Sequence, residues 1–299
     1  MSTLTPWIKA LRPRTLTLAL ACIGMGCFMA QRASAFDLKI SLLCFFTAVL
    51  LQILSNLAND YGDFTKGTDN EHRTGPQRAL QSGKITVGSM KTAIAITAIL
   101  CLASGIWLLA EAMKFIPWQT ALVFLVIGFF CILAAIKYTA GKNPYGYKGF
   151  GDVFVFICFG IVGVAGTYYL QAQHVNDLVF LPAFACGFFS MAVLNINNMR
   201  DIHNDKAAGK ITIPVRLGSS RAKVYHLLLL SSGFICAVAY TLLTYERPWQ
   251  WLFLVSLPLL LSNISNIRKH PPEKLDPYLK QMALTTLLFV LSFGIGMIV

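Results

Sequence analysis

Residues 40–63 read ISLLCFFTAVLLQILSNLANDYGD. Between Ile40 and Asn59 there is no Lys, Arg, Asp or Glu, and then Asp60 and Asp63 follow within four positions. About 20 apolar residues suffice for a helix to cross the hydrocarbon layer of a membrane. A run of this length that ends in carboxylates reads as a transmembrane helix delivering charge to the membrane surface. Eight further runs resemble it: Leu16 to Gln31, Thr92 to Ala112, Trp118 to Tyr138, Asp152 to Leu170, Leu178 to Ile196, Val224 to Leu243, Trp249 to Ser265 and Met282 to Val299. The expectation is an all-α polytopic membrane protein with nine transmembrane helices. It would form a single domain over 1–299, with loops at 59–91, 139–151, 197–223 and 266–281 capping one face.

Composition agrees. Of the 299 residues 56% are hydrophobic and only 13% are charged, yet the net charge is +12. A soluble domain carries about 25% charged residues, so a soluble globular protein, a disordered tail and a secreted disulfide scaffold are excluded. The eight cysteines all lie in apolar runs without a C-x-x-C pair, which makes them small buried hydrophobes rather than zinc or redox ligands. The basic start, Lys9, Arg12 and Arg14, before the first run suggests a signal peptide, with Ala33-Ser34-Ala35 as a cleavage site. Arg32 immediately before that site and eight further spans argue against cleavage.

Charge also orients the chain. With the N-terminus inside, the outer loops carry Arg32, Lys39, Lys114 and Arg247 against Asp37, Glu111, Asp177 and Glu246. That leaves 21 of the 25 basic and nine of the 13 acidic residues, and hence the whole +12, on the inner side. The positive-inside rule then puts the N-terminus and the long loops in the cytoplasm and the C-terminus outside. Nucleic acid is not an expected partner, because the basic residues sit in an apolar chain at a membrane face.

Two segments at the inner ends of spans carry the chemistry. The first is N56-L-A-N59-D60-Y-G-D63, followed by Asp69; the second is N195-I-N197-N198-M-R200-D201-I-H-N-D205-K206. Helical spacing puts Asn56, Asp60 and Asp63 on one face, and Asn197, Asp201 and Asp205 on another. Both segments end spans that run from outside to inside, so both lie at helix C-termini, where the macrodipole is already negative. One such cluster reads as a solvated turn; two at equivalent helix ends point to a cation between them. All-oxygen ligands favour Mg²⁺, which commonly bridges one or two carboxylates to substrate phosphates. Arg73, Arg78, Lys142, Arg200, Lys206 and Lys210 are the basic residues available to phosphate oxygens. His72 and His203 read as surface residues. A diphosphate at the face of an apolar bundle implies an amphiphile, such as an allylic prenyl diphosphate whose tail lies among the helices.

These residues resemble the UbiA superfamily of intramembrane aromatic prenyltransferases over essentially the whole chain. Asn56, Asp60 and Asp63 match its N-x-x-x-D-x-x-D element, and Asp201 and Asp205 its D-x-x-x-D element. Y138-T-A-G-K142 looks like its Y-x-x-x-K element, and R78-A-L-Q-S-G83 is similar to its R-P-L-x-x-G turn, with Ala79 in place of Pro. L50-L-Q-I-L-S-N-L-A-N-D-Y-G-D63, N143-P-Y-G-Y-K-G-F-G-D152, L194-N-I-N-N-M-R-D201 and V215-R-L-G218 look most like its dihydroxynaphthoate-accepting branch. The superfamily's third Asp would fall at Gly67; this chain has Asp69 instead, as that branch does.

The resemblance implies an Mg²⁺-dependent enzyme of the bacterial inner membrane. It would transfer a polyprenyl group from its diphosphate to 1,4-dihydroxy-2-naphthoate in menaquinone biosynthesis. It implies metal binding by Asp60, Asp63, Asp69, Asp201 and Asp205, with Lys142 joining Asp60, Asp63, Asp201 and Asp205 in catalysis. Substrate binding would fall to Asn56, Asn59, Arg73, Arg78, Tyr138, Lys148, Asn197, Asn198, Arg200, Lys206 and Lys210. Lys142, Lys148 and Arg200 are candidates for the acceptor carboxylate. Asp152 reads as a helix N-cap, with a general base as the other reading. Another acceptor (4-hydroxybenzoate, haem or chlorophyllide) and a transporter are the alternatives.

Overall fold

The computed structural model describes residues 4–71, 74–174 and 176–299. A short helix α1 (Leu4–Leu11) precedes α2 (Pro13–Arg32), α3 (Leu38–Thr65), α4 (Val87–Ala112) and α5 (Trp118–Lys137). There follow α6 (Gly151–Ala172), α7 (Asp177–Arg200), the short α8 (Ile202–Ala207), α9 (Ile213–Leu243), α10 (Pro248–Lys269) and α11 (Asp276–Ile298). Among the described residues there is no strand, and nine helices, α2–α7 and α9–α11, are long and apolar enough to cross a membrane. Each closes its own backbone hydrogen bonds, which a segment in hydrocarbon must do.

The caps follow from the residues. Asp37 accepts the amide of Ile40 at 2.8 Å and starts α3, and Thr86 accepts that of Ser89 at 3.1 Å and starts α4. The largest extensions beyond the bounds read from sequence lie at the end of the bundle that carries the two aspartate motifs. There α3 runs on to Thr65, α11 begins at Asp276, and a helical turn from Ile213 leads into α9 across a break at Gly218 (φ 76°, ψ 160°), so the capping loops are shorter than the hydropathy suggests.

Burial sorts the spans. In α7 67% of the span is buried in protein, against 17% in α5, so α7 is central and α5 lipid-facing. Phe189, Phe253, Phe289 and Phe293 pack edge-to-face or tilted between α7, α10 and α11, with centroids 4.9–5.9 Å apart. A second apolar cluster joins α2, α3 and α4 through Ile23, Ile40, Leu43 and Leu108. Phe156–Gly166 in α6 follows a π-helical pattern. Its wider turns bring Gly160 against α7, where a Cβ would stand 2.7 Å from the Ala183 carbonyl oxygen.

At the end of the bundle away from the two motifs the charges pair with one another. Lys39 and Lys114 both pair with Glu111, and Arg32 pairs with Glu246 at 3.1 Å. All eight cysteines are free, six of them buried.

At the inner end, α3 meets the loop after α5 without a side chain between them. A Cβ on Gly62 would stand 2.5 Å from the Thr139 hydroxyl and 2.6 Å from its carbonyl carbon. Thr139 in turn donates to the Ala58 carbonyl at 3.1 Å. Overpacking of this kind costs about 1–3 kcal/mol. Gly62→Ala should therefore lower the thermal midpoint in detergent by several degrees. Gly88→Ala, where a Cβ would meet nothing closer than 4.0 Å, should leave it unchanged.

Candidate active site

The site begins with where α3 stops. Asp60 and Asp63 lie in its last two turns and are both 2% exposed. Asp60 Oδ2 accepts the Ala79 amide at 3.3 Å. Asp63 Oδ1 accepts the Tyr147 hydroxyl at 2.9 Å and faces the Lys210 ammonium at 3.6 Å, and its Oδ2 pairs with Arg78 at 3.0 Å. The backbone folds over after Thr65, and the Asp69 amide donates to the Asp63 carbonyl. This brings Asp69 to 3.2 Å from Arg78 Nε. Arg78 thus holds two carboxylates of the first motif, and also donates to the Asn59 carbonyl at 3.0 Å.

The second motif lies on a broken helix. Helix α7 ends at Arg200, Asp201 occupies its C-cap at φ −95° and ψ 11°, and α8 restarts at Ile202. The unbroken stripe read from Asn197, Asp201 and Asp205 is corrected accordingly. The Asp205 amide still donates to the Asp201 carbonyl at 2.8 Å, so the two carboxylates stay neighbours. Lys210 stands 3.6 Å from both Asp63 and Asp205, so one ammonium joins the two motifs. Asn204 adds a second tie, donating to the Thr68 carbonyl at 2.6 Å. Thr68 also bonds the Tyr147 hydroxyl.

The electrostatics follow from burial. Desolvation pushes the Asp205 carboxyl from its ordinary 3.8 up to about 6, against the opposing pull of Lys210. Lys210 and Arg78 are themselves held well above their ordinary values by the carboxylates around them, in spite of burial, and stay charged. Burial raises the Tyr138 and Tyr147 phenols, which therefore stay neutral.

Two buried carboxylate oxygens, Asp60 Oδ1 and Asp205 Oδ2, have no hydrogen-bond partner. Orphaned anionic oxygens of this kind, one from each motif, fit a hard divalent cation. Among the described residues no three acidic, imidazole or thiol groups converge into a closed metal cage. This suits Mg²⁺, which takes one or two carboxylates and completes its shell with water and substrate oxygens.

A cavity of about 350 Å³ opens from these residues into the bundle. Its polar end carries Asn59, Asp63, Arg78, Asn197 and Lys210; its apolar walls include Leu18, Leu51, Leu108, Phe124, Phe159 and Val162. Tyr138 and Tyr145 line it between the two ends, Tyr145 stacked on Phe154 at 3.9 Å. The shape fits an anionic head with an apolar tail.

Several sequence-based assignments change. Lys142, Lys148 and Lys206 are exposed and do not line the cavity. Lys142 lies on a bend and Lys148 ends a short 3-10 helix. Asn56 lines the cavity, but its amide nitrogen is used by the Leu11 carbonyl at 2.8 Å and by Thr15 at 3.0 Å, so it fastens α1 and α2 to α3. Asn198 is buried and faces away from the cavity, while Asn197 lines it. Arg200 is 2% exposed and committed to Asp201, Asn197 and Asp276. Asp152 does not cap its helix; it accepts the Tyr225 hydroxyl at 3.1 Å. His203 is exposed, as read. Arg73 and His72 lie outside the described residues.

Four site residues escaped the sequence reading. Tyr147, inside the quoted N143–D152 stretch, holds Asp63. Arg12 lines the cavity mouth with a left-handed backbone, φ 50°. Arg14 and Asp276 pair at 3.0 Å across 262 residues; the only signal was a lone acid opening an apolar span.

Removing one partner of a buried ion pair costs about 3–5 kcal/mol, because the remaining charge is left unpaired. Lys210→Gln leaves Asp63 and Asp205 facing each other without their shared cation. In chelator its thermal midpoint should fall well below that of the unaltered protein. Added Mg²⁺ should then stabilise the variant by more degrees than it stabilises the parent.

The UbiA prenyltransferase family profile matches residues 18–297. The chain is 45% identical to the 1,4-dihydroxy-2-naphthoate octaprenyltransferase of Escherichia coli (strain K12), over 96% of this chain and 94% of that one. It is 37% identical to that of Mycobacterium tuberculosis, over 98% and 96% respectively. Among solved structures it superposes on a UbiA homolog from Archaeoglobus fulgidus bound to GPP and Mg²⁺. The TM-score is 0.66 at 17% identity, covering 98% of this chain and 99% of that one. With its nine apolar helices, its paired aspartate motifs and this match across nearly its whole length, the chain belongs to the UbiA prenyltransferase family.

Proposed function

We propose that this protein transfers a polyprenyl group from its allylic diphosphate to 1,4-dihydroxy-2-naphthoate, with loss of carbon dioxide, in menaquinone biosynthesis. The observation that carries the reading is Lys210, shared by Asp63 and Asp205 at the mouth of an apolar cavity. The extent of identity with dihydroxynaphthoate octaprenyltransferases supports the choice of acceptor. The charge distribution supports a bacterial inner-membrane protein whose N-terminus and aspartates face the cytoplasm.

Asp60 and Asp205, each with a buried oxygen that has no hydrogen-bond partner, would hold Mg²⁺ together with Asp63 and Asp201. Bound Mg²⁺ would neutralise the diphosphate and stabilise the charge that develops on it as a leaving group. Arg78 and Lys210 are placed to take the same phosphate oxygens, each remaining fully charged. Asn59 and Asn197 lend polar contacts at the cavity mouth. The tail lies along Leu18, Leu51 and Phe124, and the dry walls keep water from the reactive carbon. Tyr138 and Tyr145 line the cavity below the polar end. Their ring faces are suited to stabilise an allylic cation.

The bond made joins the first carbon of the prenyl chain to the naphthoate carbon that bears the carboxylate. The bond from that prenyl carbon to the diphosphate oxygen breaks. The carboxylate then leaves as carbon dioxide; the electrons of its bond to the ring restore the aromatic ring as demethylmenaquinol, and diphosphate departs with the electrons of the broken C–O bond.

Asp60→Ala, Asp63→Ala, Asp201→Ala and Asp205→Ala should each lower turnover by at least a hundredfold while the protein still inserts and purifies as a folded bundle. Chelator should abolish the activity of the parent and Mg²⁺ restore it. Near-normal Mg²⁺-dependent activity in any two of these variants contradicts the two-motif site. Purified protein given a polyprenyl diphosphate should prenylate 1,4-dihydroxy-2-naphthoate. Product from 4-hydroxybenzoate alone contradicts the choice of acceptor.

A further inference from the structure

Arg200 sits beside a proposed metal ligand and grips it with both arms. Its Nε donates to Asp201 Oδ1 at 2.9 Å and its Nη2 to Asp201 Oδ2 at 2.6 Å. A carboxylate held this way by guanidinium has both oxygens engaged, which is the strongest pairing arginine makes. A metal ion must compete with that grip. The remaining nitrogen, Nη1, donates to Asp276 Oδ1 at 2.6 Å, and Asn197 shares Nη2 at 2.9 Å. Asp276 opens α11 but makes no helix cap; its other oxygen, Oδ2, takes Arg14 of α2 at 3.0 Å. A chain of alternating charge therefore runs Arg14, Asp276, Arg200, Asp201 across three helices. Only Asp201 belongs to the aspartate motifs.

We propose that Asp276 is a positioning residue for the divalent-cation site. It acts through Arg200, drawing the guanidinium toward itself and so setting how firmly Arg200 holds Asp201. Arg14 opposes it by competing for the same carboxylate. This rests on the reading of Asp201 as a metal ligand. Partners one shell out from a ligand change metal affinity by about 10–100-fold when removed. The two ends of the chain then act with opposite sign. Removing Asp276 lets Arg200 close on Asp201 and weakens cation binding. Removing Arg14 gives Asp276 wholly to Arg200 and strengthens it.

The test is Mn²⁺ binding to the purified full-length protein in detergent, read by loss of the free Mn²⁺ electron paramagnetic resonance signal, without substrate. Asp276→Asn should raise the dissociation constant about tenfold, Asp276→Glu should restore it to within a few-fold, and Arg14→Gln should lower it. In an Arg200→Gln background Asp276→Asn should have no further effect, because its route to Asp201 is gone. An unchanged constant in Asp276→Asn overturns the inference, as does the same fold-change in the Arg200→Gln background, which would mark a through-space charge effect. Should Asp276→Asn fail to fold, Arg14→Gln carries the test alone, and weaker or unchanged binding there overturns the inference. Asp201→Asn separates the two levels. If it leaves Mn²⁺ binding intact, the metal-site reading fails; if it weakens binding while Asp276→Asn does not, only the positioning role fails.

Discussion

The structure depends on a buried ammonium. Lys210 lies between Asp63 at the end of α3 and Asp205 in α8, 3.6 Å from each. Asp63 sits at the C-terminal end of the apolar α3, where the helix dipole repels negative charge, and Asp205 lies in the short α8 just past the end of α7. Burial adds a further cost, visible in the raised Asp205 carboxyl. Without cations the two helix ends would repel each other. Lys210, Arg78 and Arg200 turn that repulsion into cross-links between elements far apart in the chain.

The same arrangement explains the cavity. Charges must stay at the membrane face, so the polar groups collect at one end of the bundle, while α2 to α7 line an apolar space beneath them. Small residues let the helices approach around this space, and the widened turns of Phe156–Gly166 in α6 form part of its wall. The cavity is therefore amphiphilic by construction: cations and carboxylates at the mouth, aromatic rings next, aliphatic side chains below. An enzyme that joins a lipid diphosphate to a small aromatic anion needs that order, because the reactive carbon lies between head and tail.

Much of this was legible in the sequence. Uninterrupted apolar runs marked all nine spans, since a hydrocarbon solvent leaves no other choice for the backbone. The paired motifs stood out because aspartates recur at equivalent helix ends. What hydropathy could not supply was the length of polar helix beyond the hydrocarbon, so α3 ran seven residues past its expected end at Ala58 to Thr65, carrying both aspartates with it. Nor could composition rank the lysines. Lys142, Lys148, Lys206 and Lys210 all lie on inner loops, and only Lys210 is buried at the cavity, where Gly209 in a left-handed turn (φ 70°) precedes it. Asn56 had the spacing of a site residue and proved a fastener of α1 and α2, because its side chain turned toward the Leu11 carbonyl. The pairing of Arg14 with Asp276 joins residues near opposite ends of the chain, which no local pattern reveals.

The most direct test is an experimental structure with Mg²⁺ and a non-hydrolysable polyprenyl diphosphate analogue. The account predicts the diphosphate between the ends of α3 and α7, with Lys210 and Arg78 moved from the aspartates onto phosphate oxygens. The metal would lie on aspartates of both motifs, Asp60 and Asp63 with Asp201 and Asp205, and the tail along Leu51 and Phe124. A diphosphate bound elsewhere, with Lys210 still bridging Asp63 and Asp205, would contradict it.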